Sequence, residues 1–550
     1  MMLKKLVFSG ALIAAVGATT PADAFCGFYV SGADAELFNN ATMVVMMREG
    51  KLTVLNMQNN YQGPPQDFAL VVPVPVVLQK ENVKTLPAEV FSRVDQLAAP
   101  RLVEYWEQDP CAPQIRHERA AMAASPAAPM ARAKKSGGAD LGVKIEAQFK
   151  VGEYEILILS AKDSGGLDKW LRLKNYKIPE GAEAVLRPYV QQGMKFFVAK
   201  VDVKKVRFDD GRVVLSPLRF HYESKDFNLP VRLGLLNSNG EQDLIVHILA
   251  KGQRYEVANY NNVTIPTNLD VAEAARDQFG SFYTALFSTV MEKHPKSVIT
   301  EYSWDAGSCD PCPTPPLRQN DLATLGADVL PSALEQPALA LPPGRPVRPG
   351  RRAPRRRFWG GGGFVLTRLH ARYKKDSLGE DLVFQAAPPI AGGRERMGAD
   401  GEVEQGSVPT STNNFQARYA IRHSWKGPIE CDNPRRGRWG GPPKGETGST
   451  QPRAASNLGF APPKEAKLAT FLTKDLTDLG VSAPKRAPEP TLPAPKPQVP
   501  TAPAAEGAPQ QRSSGCGACH MDATSSRGGV WAALLSALVA AGLGRRRRRS

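Results

Sequence analysis

From residue 41 to residue 304 the chain repeats one pattern: short apolar segments, rich in β-branched residues, separated by Gly, Asn or Pro at hairpin spacing. This pattern constrains the fold most, because a period of two places alternate side chains on opposite faces of a strand and does not suit a helix. Residues 41–47 and 51–57 flank Glu49-Gly50 and predict a hairpin. Residues 68–77 form a continuous apolar run, which predicts a buried strand; Pro73 and Pro75 restrict it to an edge or to the strand's end. A second hairpin is expected over 144–150 and 154–160. Further strands are expected over 195–203, 213–222, 231–236, 243–250, 254–258, 298–304, 364–373, 381–387 and 413–425. Helical spacing marks 83–97, 102–106, 167–173 (with Ser164 as N-cap), 269–292 and 466–479. Strands outnumber helices, so the expected class is α+β: β-rich, with mainly antiparallel sheets and a few helices.

The two ends of the chain carry delivery signals. Residues 1–24 read as a signal peptide, with Lys4 and Lys5 before an apolar stretch and Ala22-Asp23-Ala24 as the cleavage site. At the other end Cys516, Cys519 and His520 precede an apolar run over 530–543 and five arginines, Arg545, Arg546, Arg547, Arg548 and Arg549. The run is short for a bilayer but can cross at a mismatch cost. Terminal arginines resist translocation, so a short C-terminal transmembrane helix is expected with the rest of the chain outside. Between the ends, 25–330 reads as a β-rich exported domain, 331–360 as a Pro/Arg/Gly-rich insert and 361–480 as the domain's continuation. An extended Pro/Ala-rich spacer over 481–514 then leads into the sorting tail, 515–550.

The charge sits in these accessories. Lys4, Lys5 and the terminal arginines supply seven of the formal +16, and the insert supplies seven more: Arg345, Arg348, Arg351, Arg352, Arg355, Arg356 and Arg357. The remainder is close to neutral, which argues against a specific nucleic-acid-binding face. The arginine block, followed by Phe358 and Trp359, is a candidate contact for an anionic surface polymer; otherwise it is a solvated loop.

Cys26, Cys111, Cys309, Cys312 and Cys431 are disulfide candidates in the exported part, an odd number whose connectivity the sequence leaves open. Cys309-Asp-Pro-Cys312 has the spacing of a redox dithiol. Asp310 sets a negative charge between the sulfurs and nearby prolines discourage a helix, so structural pairing is favoured. Cys516, Cys519 and His520 formally match a haem-attachment pattern, but no axial partner accompanies them and no cofactor is expected. The histidines show no ligand spacing; His247 and His370 read as satisfied sheet residues. No catalytic and no metal-binding residue is nominated.

The tail resembles the MYXO-CTERM sorting tail of myxobacterial secreted proteins. That likeness implies processing at the cysteine motif, surface anchorage, and export and sorting machinery as partners. Phe25-Cys-Gly-Phe-Tyr-Val, Asn60-Tyr-Gln-Gly-Pro-Pro, Pro100-Arg-Leu-Val-Glu-Tyr-Trp, Glu301-Tyr-Ser-Trp with Cys309-Asp-Pro-Cys, and Thr367-Arg-Leu-His-Ala-Arg-Tyr resemble a second family, domain of unknown function 2330. It implies an exported domain and supplies no reaction and no catalytic residues. The expected function is an exported, surface-anchored envelope or extracellular-matrix protein that binds or displays without catalysing. The alternative is an extracytoplasmic enzyme, a thiol-disulfide oxidoreductase or a hydrolase.

Overall fold

The computed structural model describes residues 28–30, 38–62, 69–112 and 143–473, with breaks at 175, 177, 179–180, 210–211, 238–241, 335–362, 374–379, 396–402, 444–447 and 457–466. The largest sheet grows from the hairpin Phe38–Glu49 and Leu52–Gln62, where Gly50 takes the positive φ that the turn needs. On one side Leu52–Gln62 pairs with Leu218–Glu223, which pairs with Val83–Thr85. On the other, Phe38–Glu49 lies parallel to Gln242–Lys251, and the sheet continues antiparallel through Phe364–Tyr373, Ser297–Asp305 and Asn414–Gln416. Polypeptide from both sides of 335–362 therefore builds one sheet. A second sheet, antiparallel throughout, runs in the order Phe28–Val30, Ala69–Val74, Lys195–Val201, Tyr154–Ala161, Val143–Val151. A third pairs Arg101–Glu107 in parallel with Arg418–His423.

Alternation sorts the side chains into layers. Val44, Met46, Leu55 and Met57 face the second sheet and pack with Leu70, Val72, Ile156, Ile158 and Phe197. Met43, Val45, Met47 and Val54 face the other way, onto helices Glu89–Ala98 and Gln319–Leu325. Helices Ser164–Leu173 and Ala182–Gln191 cover the outer face of the second sheet through Leu167, Trp170, Leu186 and Tyr189. Helix Phe279–Lys293 packs against Ile245 and Ile299 of the large sheet and Tyr419 of the third. Strands buried on both faces explain the continuous apolar runs of the sequence.

The β-rich α+β class with mainly antiparallel sheets stands, and parallel pairs occur within the largest and third sheets. Several elements differ from expectation. Residues 102–106 belong to a strand, because their aromatic and β-branched side chains alternate across a sheet covered on both faces. Residues 231–236 form a 3₁₀ turn: the Asp381 carboxylate accepts from the backbone N–H groups of Val231 and Arg232, as at a helix start. The long helix begins only at Phe279, since Leu269–Asp270 is drawn into a strand beside Tyr419. Asp163, not Ser164, caps its helix by accepting from Gly166 N. Of the expected last helix, Leu468–Thr470 is one 3₁₀ turn and residues beyond 473 lie outside the described residues. Pro73 lies past the residues paired with Phe28–Val30, so among the described residues it has a strand neighbour only in Lys195–Val201. Among the described residues no helix is long and apolar enough to cross a membrane. The expected C-terminal transmembrane helix, like the signal peptide, lies outside them.

Candidate functional site

Charged residues stand in the middle of apolar strands, and the fold gathers them. Register places His247, Arg368 and Tyr302 side by side across three central strands, and Ile245, His370 and Ile299 beside them on the same face. The pairing of Ser297–Asp305 with Phe364–Tyr373 slips between Thr300 and Tyr302, leaving Glu301 as the extra residue of a bulge. The bulge re-aims Glu301 toward Arg368 and His370 instead of the opposite face.

Glu301 is fully enclosed and accepts from three partners: Arg368 Nε at 2.5 Å, Tyr283 Oη at 2.6 Å and His370 Nδ1 at 2.6 Å. Arg368, also without exposure, donates its Nη1 to Asp95 of the helix above and to His247 Nε2 at 3.3 Å. The far side of His370 faces Asp243, which Arg372 grips with two hydrogen bonds of 2.8 and 2.9 Å. Two arginines thus meet three carboxylates, and a protonated His370 completes the balance. Burial alone would lower His370, but Glu301 and Asp243 hold it above the ordinary imidazole value. Burial would raise Glu301 and Asp243; His370 with Arg368 and His370 with Arg372, respectively, hold both down to about 2. His247 is driven well below the ordinary value by burial and by Arg368, so it is neutral and accepts from the guanidinium.

These shifts give a pH dependence. Both carboxyls titrate lower folded than unfolded, so their contribution is complete above about pH 4.5 and is lost as pH falls toward 2. His247 acts in the same sense from about pH 6.5 downward, because only the unfolded imidazole takes the proton there. His370 has the opposite sign: its contribution is full below about 6.5 and is lost as pH rises through its raised folded value. Below about pH 6.5 stability should therefore fall on acidification, by up to ~1.4 kcal/mol per pH unit for each of His247, Glu301 and Asp243 over its own range. Thermal melting between about pH 7 and about pH 3 reads this slope; a flat profile would contradict the pairing.

A second cluster is partly open to solvent. Cys309 and Cys312 form a disulfide and are half-buried in the loop after Asp305. The two carbonyls between them are held from beneath. Arg101 Nη1 donates to Pro311 O at 2.9 Å, and Gln416 Nε2 donates to Asp310 O at 2.7 Å. Arg394 pairs with the Asp310 carboxylate at 2.7 Å and lies over the Trp304 ring. Arg101 differs from the other fully enclosed arginines. Arg219 pairs with Asp328, Arg254 with Glu256, and Arg368 with Asp95 and Glu301. Arg101 donates to the carbonyls of Leu97, Ala99 and Pro311 and lies against the Tyr302 phenol, but among the described residues it meets no carboxylate. Burial depresses its pKa; Tyr302 opposes that depression, and Arg418 and Arg368 add to it.

Cys111 and Cys431 form the second disulfide, 320 residues apart in sequence. It joins the chain just beyond strand Arg101–Glu107 to the chain just beyond Arg418–His423, two strands already paired in parallel. Of the disulfide candidates these four pair with one another, and Cys26 lies outside the described residues. Cys516, Cys519, Arg545–Arg549 and the insert arginines Arg345–Arg357 also lie outside them. Neither the ionic network nor Arg101 was singled out as a site from sequence. The available signal was a charge flanked by apolar residues within a strand, as at Glu301, Arg368 and Arg101. Among the described residues no three His, Cys, Asp or Glu side chains are grouped to hold a metal ion.

Comparison with known proteins gives one result. No curated protein and no solved structure matches the chain. A family model described as an uncharacterized protein conserved in bacteria, DUF2330, matches residues 20–385. The matched stretch holds Arg101, Glu301, the Cys309–Cys312 loop, Arg368 and His370, while Gln416 and Cys431 lie beyond it. With more than half of its length matched, the chain belongs to the bacterial DUF2330 family.

Proposed function

We propose that this chain is an exported protein held at the cell surface by its C-terminal tail, where its β-rich domain binds or displays. The Cys111–Cys431 disulfide carries the reading, because disulfides form and persist mainly in oxidising compartments outside the cytoplasm. The signal-peptide pattern over 1–24 and the tail over 515–550 support export and anchorage. The buried ionic network favours a scaffold role, since its charges are met inside the protein and serve the packing of strands against helices. We further propose domain limits of 25–330 and 361–480, separated by the insert. The insert arginines Arg345–Arg357 are a proposed contact for anionic surface polymer, with binding that falls steeply as salt rises.

Protease treatment of intact cells, followed by fractionation, tests this reading. The domain should be digested from outside, and deletion of residues 515–550 should release it to the medium. A full-length cytoplasmic pool protected from protease would overturn it.

A further inference from the structure

The Cys309–Cys312 disulfide lacks the features of a staple. It closes a loop of two intervening residues, so it removes little freedom from the unfolded chain, whereas Cys111–Cys431 removes a great deal. Both its cysteines reach partial exposure. Its loop is fixed by contacts that do not involve the sulfurs: Arg101 on Pro311 O, Gln416 on Asp310 O and Arg394 on the Asp310 side chain. Opening the S–S bond would leave that scaffold in place.

The charges around the loop point the same way. Asp310 would oppose a thiolate next to it, but Arg394 pairs with its carboxylate. Arg101 is an enclosed guanidinium with no carboxylate partner among the described residues, and it already touches the peptide between the two cysteines. A buried charge without a counter-ion is costly. Reduction of the disulfide creates a thiolate in that loop, which supplies the missing negative charge. A neighbouring cation stabilises a thiolate, and a pair whose reduced form is stabilised is a stronger oxidant.

We propose that Cys309–Cys312 is a redox-active disulfide that oxidises pairs of thiols in other polypeptides, with Arg101 as the positioning residue that favours its reduced form. In the reaction a substrate thiolate attacks one sulfur of the pair. The Cys309–Cys312 bond breaks and a mixed disulfide forms. The substrate's second thiolate then attacks its own sulfur in that mixed disulfide and expels the cysteine thiolate. The substrate loses two electrons and two protons and gains a disulfide, and the pair takes them up as two thiols. The proposal concerns the purified protein's chemistry and does not depend on the anchorage reading.

The test uses the full chain equilibrated in glutathione buffers, with thiols trapped by alkylation and each pair read by peptide mass mapping. Cys309–Cys312 should be half reduced under conditions in which Cys111–Cys431 is still oxidised. Arg101→Met should shift the Cys309–Cys312 equilibrium at least tenfold toward the disulfide, about 30 mV, and leave Cys111–Cys431 unmoved. Because this variant loses three carbonyl contacts and can fail to fold, a second measurement uses the unaltered sequence. Alkylation rate against pH should show one thiol titrating below the ordinary ~8.5, and a synthetic peptide with two reduced cysteines should be oxidised at one equivalent per chain. The proposal is overturned if both thiols titrate at or above that value, if the peptide is not oxidised, or if Cys309–Cys312 outlasts Cys111–Cys431 under reduction. A folded Arg101→Met protein with an unchanged equilibrium would overturn it equally.

Discussion

Replacing Arg368 by methionine should lower stability by about 3–5 kcal/mol, the cost of breaking a buried ion pair by removing one partner. Arg368 stands between Asp95 and Glu301, and none of the three has meaningful contact with water. The substitution keeps much of the side chain's volume and takes the guanidinium away from two enclosed carboxylates. Their charges are then less fully compensated, and Glu301 is left with His370 and Tyr283. A typical domain has only about 5–15 kcal/mol in reserve, so the variant should be soluble at best in part at 37 °C. Urea unfolding of the two proteins measures the difference. The combined change of Arg368→Met, Asp95→Leu and Glu301→Leu should recover much of the loss, because removing the whole group also removes the desolvation cost. A single-variant effect below about 1 kcal/mol would mean that the charges are not coupled as described.

The second large effect is expected from Cys111→Ser combined with Cys431→Ser. A loop of 320 residues corresponds to roughly 5.5–6 kcal/mol of unfolded-state restriction in the chain-entropy description. The loss should fall chiefly on the third sheet, whose strands Arg101–Glu107 and Arg418–His423 come from distant parts of the chain and pair in parallel. Parallel pairing across so long a connection gives late, non-local contacts with a high closure cost. Hydrogen exchange should therefore rise first over these two strands, while the hairpin Phe38–Glu49 and Leu52–Gln62 keeps its protection. Uniform loss of protection throughout the chain would contradict the local reading.

The parts legible in sequence were those governed by neighbours. The hairpins around Gly50 and around Val151-Gly152 announce themselves through alternation and a turn residue. The central strands did so through their apolar runs, and Cys309 and Cys312 were legible as disulfide cysteines with their partners left open. Residues 102–106 misled because five residues with apolar positions at 102, 103 and 106 fit a short helix as well as a strand. Partners distant in sequence, not local preference, decide that strand: Arg418–His423 on one side and Trp439–Gly440 on the other. The ionic network was hidden for the same reason. Asp95, Asp243, Glu301 and Arg368 come from four separate elements, and the bulge that turns Glu301 inward leaves no mark in composition. The stretches that carry the family likeness, Pro100-Arg-Leu-Val-Glu-Tyr-Trp, Glu301-Tyr-Ser-Trp and Thr367-Arg-Leu-His-Ala-Arg-Tyr, contain Arg101, Glu301, Arg368 and His370. All four are buried inside the protein.

The claim that joins fold, family and proposed location is that this domain is oxidised and stapled outside the cytoplasm. Peptide mapping without reduction, on a chain lacking residues 515–550 recovered from the medium of intact cells, tests it most directly. The predicted map contains Cys111 joined to Cys431 and Cys309 joined to Cys312. Recovery of Cys111 and Cys431 as free thiols, or joined to other cysteines, would contradict it.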